Sequence, residues 1–416
     1  MKMLNKVLLT PLLMFTAILS GCNDNSTESS KEPIVQIISP QSNDTYKKHD
    51  LIYFEANLVL EDNVIDFDSV MWEFSNYDSV FNRNGFGKYL AVGSQNIVCT
   101  MFAGNNSYSS NINITVENIF TVDTLLQEGS FTLYQIPDDM ILSLGFDGDN
   151  DIIVGTEKTG LYIKKKNMWI NYSYSDGLSE NSIQTISTDN NNVIYLGYYN
   201  IGGISKLDQN RISHLYKDEY YGQDIHNIIF DEENNMWVAD HNGDIFKYIN
   251  GEKITFPDQN VDFHHPNDFQ FDKKHNLWGS SNYGAIKYDG QTWDSLFVNG
   301  KLLRSLCMTI DMDDNVWFGE DNKLYKISES DTTIYSTSLF GLPSETIRRL
   351  RTDSHNNLWI GIDKFLVKYD KTNWEVIELP VNDLRIVSLA IDVNDVVWFS
   401  ASSWQSYTSV FGYYKE

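Results

Sequence analysis

Apolar side chains along this sequence alternate with polar ones in short runs, and the runs are broken by Asn, Asp, Gly and Ser. Alternation at period two predicts strands with one face in a core, while the wider spacing of an amphipathic helix is hard to find. Between Pro33 and Asn118 the runs IVQII, LIYFEANLVL, SVMWEF, QNIVCTMFA and NINITVE suit a small antiparallel sandwich.

Beyond residue 128 the pattern repeats. Asp147, Asp189, Asp231, Asp272, Asp311, Asp353 and Asp392 each end an apolar strand, at separations of 42, 42, 41, 39, 42 and 39 residues. Six positions after each Asp stand Ile153, Tyr195, Trp237, Trp278, Trp317, Trp359 and Trp398, and two further on the residue is always Gly, Ala or Ser. This period and strand content predict a seven-bladed β-propeller over 129–416, each blade a four-stranded antiparallel sheet. The last unit holds only three strands, so FTLYQI at 131–136 is expected to supply its fourth and close the ring, leaving no exposed sheet edge. The expected fold class is all-β: a β-sandwich over 33–118, a linker over 119–128, then the propeller.

The turn after each anchor is rich in carboxylates and amides, as in DEENNMWVAD at 231–240. The first, DGDNDIIVGTEK from Asp147, keeps the alternating Asp spacing of a calcium loop but has Ile152 where that loop needs Gly and Lys158 where it needs Glu. It falls in register with the other turns, so it reads as a hairpin turn capped by Asp and Asn, and no metal or cofactor is expected.

The units GLSENSIQTISTDNNNVIYLGYYNIGGISKLD and GLPSETIRRLRTDSHNNLWIGIDKFLVKYD resemble the two-component regulator propeller repeat. That resemblance implies a propeller of the kind that often forms the periplasmic sensor half of hybrid histidine kinases detecting glycan fragments. With no spanning helix or kinase module in these residues, an anchored propeller is the expectation. The segment from SVMWEFSNYDSV to KYLAVGSQNIVCTMFAGNNSYSS resembles the PKD or Ig-like modules of bacterial surface proteins, which act mostly as spacers; the resemblance implies an Ig-like or PKD-like β-sandwich over 33–118 with Trp72 in its core and Cys99 facing inward with no cysteine opposite.

The N-terminus has a basic start at Lys2 and Lys6 and an apolar run, Val7 to Leu19, too short to span a bilayer well. Leu19-Ser20-Gly21-Cys22 then resembles the lipobox of bacterial lipoproteins. The resemblance implies a signal peptide over 1–21, acylation at Cys22 and a polar tether over 22–32 that holds the chain to a lipid bilayer of the cell envelope. Asn23 after the cysteine favours the outer membrane. Cys99 and Cys307 lie in different segments and read as buried small hydrophobes. A net charge of −26 repels phosphate backbones, so nucleic acid is not an expected partner.

Catalytic motifs are scarce: there is no nucleophile elbow, zinc-protease helix or phosphate loop. Aromatic residues concentrate instead in the loops expected on one rim. Tyr198, Tyr199, Tyr221, Tyr283 and Trp404, joined by His264 and His265, are the candidate ligand-binding residues, and the loop over 401–410 is longer than its counterparts. Rings stack on sugar faces while amides and carboxylates bond the hydroxyls, so non-catalytic recognition of a glycan or an envelope protein is the first expectation. A lyase or hydrolase acting in the channel through His264, His265 or Asp268 is the alternative, and a scaffold of a surface assembly a third. Adjacent histidines on a strand point to opposite faces, so His264 and His265 need an irregular backbone to share a ligand. Arg304 and Arg385, at the same offset before their anchors, offer an anion site on the rim.

Overall fold

The computed structural model describes residues 32–416 apart from 48–49, 76–78, 89, 91–92, 118–120, 167, 200–202, 216–223, 257–260, 262, 343–345 and 382. Cys22, the leader and nearly all of the tether lie outside the described residues. What is described is almost entirely strand, with two short 3-10 turns at Tyr174–Asp176 and Thr337–Phe340. No helix among the described residues is long and apolar enough to cross a membrane.

Residues 34–117 form two facing sheets. One pairs Ile52–Leu60 with Ile34–Ser39, Asn63–Ile65 and Phe86–Lys88; the other is ordered Thr45–Lys47, Asn106–Glu117, Gly93–Ala103, Ser69–Glu73, Ser79–Phe81. Alternation in the sequence becomes alternation in burial, as Val35, Ile37, Ile52, Phe54, Ala56 and Leu58 all point into one core. Trp72 is fully buried there, its ring edge-on to Phe54 at 5.5 Å, and Cys99 lies beside it as a free thiol. Burial pushes that thiol up to about 12, which keeps it protonated and inert.

The repeat region makes a series of four-stranded antiparallel sheets, of which Ile225–Phe230, Met236–Asp240, Ile245–Ile249 and Glu252–Thr255 is typical. Phe131–Gln135 pairs with Thr408–Tyr414, so the segment ahead of the first unit joins the strands of the last. The connection expected over 119–128 is more ordered than a linker: Asp123–Glu128 is a strand that pairs with Phe131–Gln135 and adds a fifth to that sheet. Leu126, half-buried against the core of this sheet, gives the segment an apolar contact that a linker would lack.

Four of the anchor Asp residues do two jobs, while Asp392 closes its turn and leaves the indole N–H of Trp398 without a partner. One carboxylate oxygen of Asp272 accepts the backbone N–H of Lys274 and Asn276, closing the turn, and the other accepts the indole N–H of Trp278 at 2.8 Å. Asp231, Asp311 and Asp353 hold Trp237, Trp317 and Trp359 in the same way. The first unit has Ile153 in place of the indole, and there Lys165 reaches Asp147, Asp149 and Asp151, the latter at 2.9 Å. A lysine ammonium thus fills the place that a calcium ion would need.

The same turns clasp their neighbours. The residue at the left-handed position, with φ between 58° and 65° from Asn150 to Asp395, is Asn, Asp or His, the types that tolerate this region best. Where it is Asn or Asp, its side chain accepts a backbone N–H from the preceding turn: Asn234 from Asn190 at 2.9 Å, Asp314 from Lys273 at 3.0 Å, Asn356 from Met312 at 2.7 Å, Asp395 from Ser354 at 2.8 Å. Asn150 accepts from Val393 at 3.2 Å, which carries the series from the last turn back to the first. In three units the small residue two places after the aromatic anchor has a steric cause, because a Cβ on Gly197, Gly319 or Gly361 would lie 2.5–2.8 Å from an isoleucine at the start of the next sheet.

Candidate functional site

First and second strands share one register throughout: Ile141 faces Thr156, Ile183 faces Tyr198, Ile225 faces Asp240 and Pro266 faces Ser281. Residues just before the first strand, at its second position and just after the second strand therefore gather on one rim. A bulge follows the first residue of each of these strands and turns the second position out of the sheet's regular alternation.

A cavity of about 420 Å³ opens on this rim between the sheets that begin at residues 141 and 183 and the closing sheet. Leu142, Gln184 and Val387 line it from equivalent positions, with Arg349, Glu157, Tyr199 and Trp404 around them. Trp404 is 62% exposed and Tyr199 46%. Burial lowers the pKa of Arg349 against the pull of the Asp268 carboxylate, and its guanidinium donates to the backbone carbonyl of Arg348. Glu157 accepts the hydroxyl proton of Tyr407, and Lys158 sits 3.9 Å above the Tyr407 ring. Burial and the Asp139 carboxylate raise Glu157 above its ordinary value, while Lys158 pulls it down.

The length expected in the loop over 401–410 is spent differently. Strands Val397–Ser403 and Thr408–Tyr414 run on to pair Ser403 with Thr408, so a tall hairpin with a four-residue tip carries Trp404 to the cavity. Tyr198 is a correction: it belongs to the second strand of its unit, its ring is fully buried, and it cannot meet a ligand. Adjacent strand residues face opposite ways, so only Tyr199 of the pair is on the surface. Phe263 likewise packs inward, against Phe269 at 5.3 Å. Tyr221 lies outside the described residues.

His264, His265 and Asp268 do not converge. His265 has φ of 51°, the irregular backbone that separates it from its neighbour, and His264 turns to the carbonyl of Asn242. Asp268 is buried, bound to Arg351 at 3.1 Å and to the backbone N–H of Met308. Arg304 is exposed, and Arg385, 3.8 Å from Asp363, lines a separate cavity with Lys364, whereas Arg349 lines this one.

His265 meets His226 and His241, two residues that motif reading passed over. Nε2 of His226 lies 3.2 Å from Nδ1 of His241, and the other ring nitrogen of His226 lies 3.2 Å from the Pro266 carbonyl oxygen. The His241 and His265 rings are 3.9 Å apart at their centroids, Asp224 is 3.5 Å from His241, and Tyr283 stacks over His265 at 5.5 Å. Burial and the neighbouring His241 push His226 down to about 4, so its ring is neutral at ordinary pH. Repeat register was the only signal available: these histidines occupy the second position of a first strand, the residue after a second strand and the residue before the next first strand.

No protein-family model matches the chain, and no curated protein matches it. Solved structures do. The extracellular domain of BT3049 from B. thetaiotaomicron, assigned to a hybrid two component system, aligns with a TM-score of 0.59 at 14% identity over 91% of this chain and 51% of its own. The corresponding domain of BT4673 gives 0.55 at 16% identity, over 72% and 40%. Virginiamycin B lyase from Staphylococcus aureus gives 0.55 at 12%, over 68% and 98%. The repeated region is a β-propeller. At these identities the likeness is one of fold, and the present chain spans about half or less of the two Bacteroides chains.

Proposed function

We propose that this protein is an exported, lipid-anchored recognition protein that binds an oligosaccharide at the channel mouth of its propeller without transforming it. In this reading Cys22 carries the acyl anchor in the outer membrane, an Ig-like or PKD-like sandwich serves as spacer, and seven blades close through strand Phe131–Gln135. The observation that carries the binding assignment is the 420 Å³ cavity in which exposed Trp404 and Tyr199 stand beside Arg349, Gln184 and Glu157. Its size falls in the range of ligand sites, and flat rings beside polar side chains match a sugar with apolar faces and hydroxyl edges. Arg349 adds a preference for a carboxylate or sulfate on that sugar. The extracellular sensor domains that share the fold support an exported recognition role by analogy.

Calorimetric titration of the detergent-solubilised chain with neutral and acidic oligosaccharides tests this. Binding is expected to fall at least ~10-fold in Trp404→Ala and in Tyr199→Ala, the loss of a central aromatic contact. Undiminished binding in the double variant would sink the assignment, as would a panel without a binder alongside capture of an envelope protein.

A further inference from the structure

We infer that His226, His241 and His265 form a binding site for a divalent transition-metal ion, zinc being the natural occupant of three imidazoles. Each offers a ring nitrogen, and these nitrogens lie within 4.8 Å of one another. Zinc–nitrogen bonds of about 2.0–2.1 Å in a tetrahedron place ligand nitrogens about 3.4 Å apart. The His226–His241 pair already stands at 3.2 Å, so only His265 has to close in.

The protonation pattern suits a ligand set. The Pro266 carbonyl accepts the Nδ1 proton of His226 and leaves the Nε2 lone pair directed at His241, the backbone-to-histidine arrangement that orients metal ligands. A proton on Nδ1 of His241 joins the two rings in the free protein. An arriving cation takes that proton's place: Nδ1 of His241 gives its proton to solvent while Nε2 takes one up, so His241 changes tautomer and binds as a neutral imidazole. His241, with its side chain 43% exposed, leaves a route for the ion, and Asp224 at 3.5 Å supplies a nearby negative charge. Three ligands leave a fourth position for water or a ligand oxygen on the rim where the cavity opens.

Chance placement is a poor account of the cluster. The chain has eight histidines, and three of them take the three different rim positions of one junction between sheets, where other units carry Leu142 or Gln184, Glu157 or Tyr199, and Met140 or Ser182. Two other groupings among the described residues differ, since Asp147, Asp149 and Asp151 hold Lys165, and in the other Asp353 and Asp395 are spent on their turns, with His355 beside Asp395. The inference stands independently of the glycan reading.

The test is titration of the full chain, purified without a polyhistidine tag and stripped with chelator, using zinc chloride alone, with cobalt(II) as a spectroscopic substitute. One zinc per chain at micromolar affinity or tighter is expected, with a visible cobalt band of four-coordinate type. His241→Ala and His265→Ala, at accessible positions, are each expected to weaken zinc by ~100-fold or more, at the upper end of what losing even an indirect partner costs. His275→Ala, an exposed histidine outside the cluster, should leave it unchanged. Absence of saturable binding, or equal binding in the His241→Ala/His265→Ala double variant with native circular dichroism, overturns the inference.

Discussion

Replacing Asp272 with Ala removes every bond its carboxylate makes. The amide of Asn276 and the indole N–H of Trp278, both on residues only 8% exposed, lose their acceptor. A buried donor left unsatisfied costs about 1–3 kcal/mol, so two cost about 2–6 kcal/mol, a large share of a typical domain's stability. At roughly 2–3 °C per kcal/mol for a unit of this size, the propeller's melting temperature should fall by ~5–15 °C. Asp272→Asn keeps an oxygen for the turn but presents an amide N–H to the indole, so it should fall between Ala and wild type. Trp278→Phe tests the indole alone. Scanning calorimetry of the full chain measures all three, and an Asp272→Ala variant melting within ~2 °C of wild type would refute the two-job account of the anchor Asp. Burial alone would raise the pKa of Asp272, but hydrogen bonds from Trp278, Asn276 and Lys274 outweigh it and lower the native value. A depressed carboxylate stabilises fully above its unfolded pKa of about 3.9 and loses that contribution as pH falls through the lower native value. The difference between wild type and Asp272→Ala should therefore shrink below pH ~4.

Gly361→Val would push side-chain atoms onto Ile386, whose Cγ2 a mere Cβ would meet at 2.8 Å, and should cost about 1–3 kcal/mol in denaturant unfolding. Trp72→Ala empties the centre of the first core and should cost about 3–5 kcal/mol, read in a transition separate from that of the propeller. Arg349→Gln should weaken acidic oligosaccharides by ~10–100-fold, the worth of a hydrogen bond to a charged group, and leave neutral ones nearly unaffected in the same calorimetric titration.

The repeat was legible because a backbone constraint recurs at every unit. Asp at the turn, an aromatic six on and a small residue two beyond each answer a local need that sequence displays directly. The site was less legible because it is the part that does not repeat. Tyr198 and Tyr199 look alike in sequence, and only the phase of their strand buries one and exposes the other. His226, His241 and His265 come from separate segments and meet through the register of two sheets, which no motif encodes. Arg348, Arg349 and Arg351 stand close together in sequence, yet Arg351 is bound to Asp268 whereas Arg349 lines the cavity.

The pairing of Phe131–Gln135 with Thr408–Tyr414 also orders events in time. The first of these strands leaves the ribosome long before its partner exists, and the other sheets can fold while it waits. During that interval Phe131–Gln135 lacks its partner, and an unpaired strand edge is a template on which a second chain could add. Asp123–Glu128, already folded back on Phe131–Gln135 as a hairpin, covers one of its edges from the start and leaves only the other to be kept for the right strand.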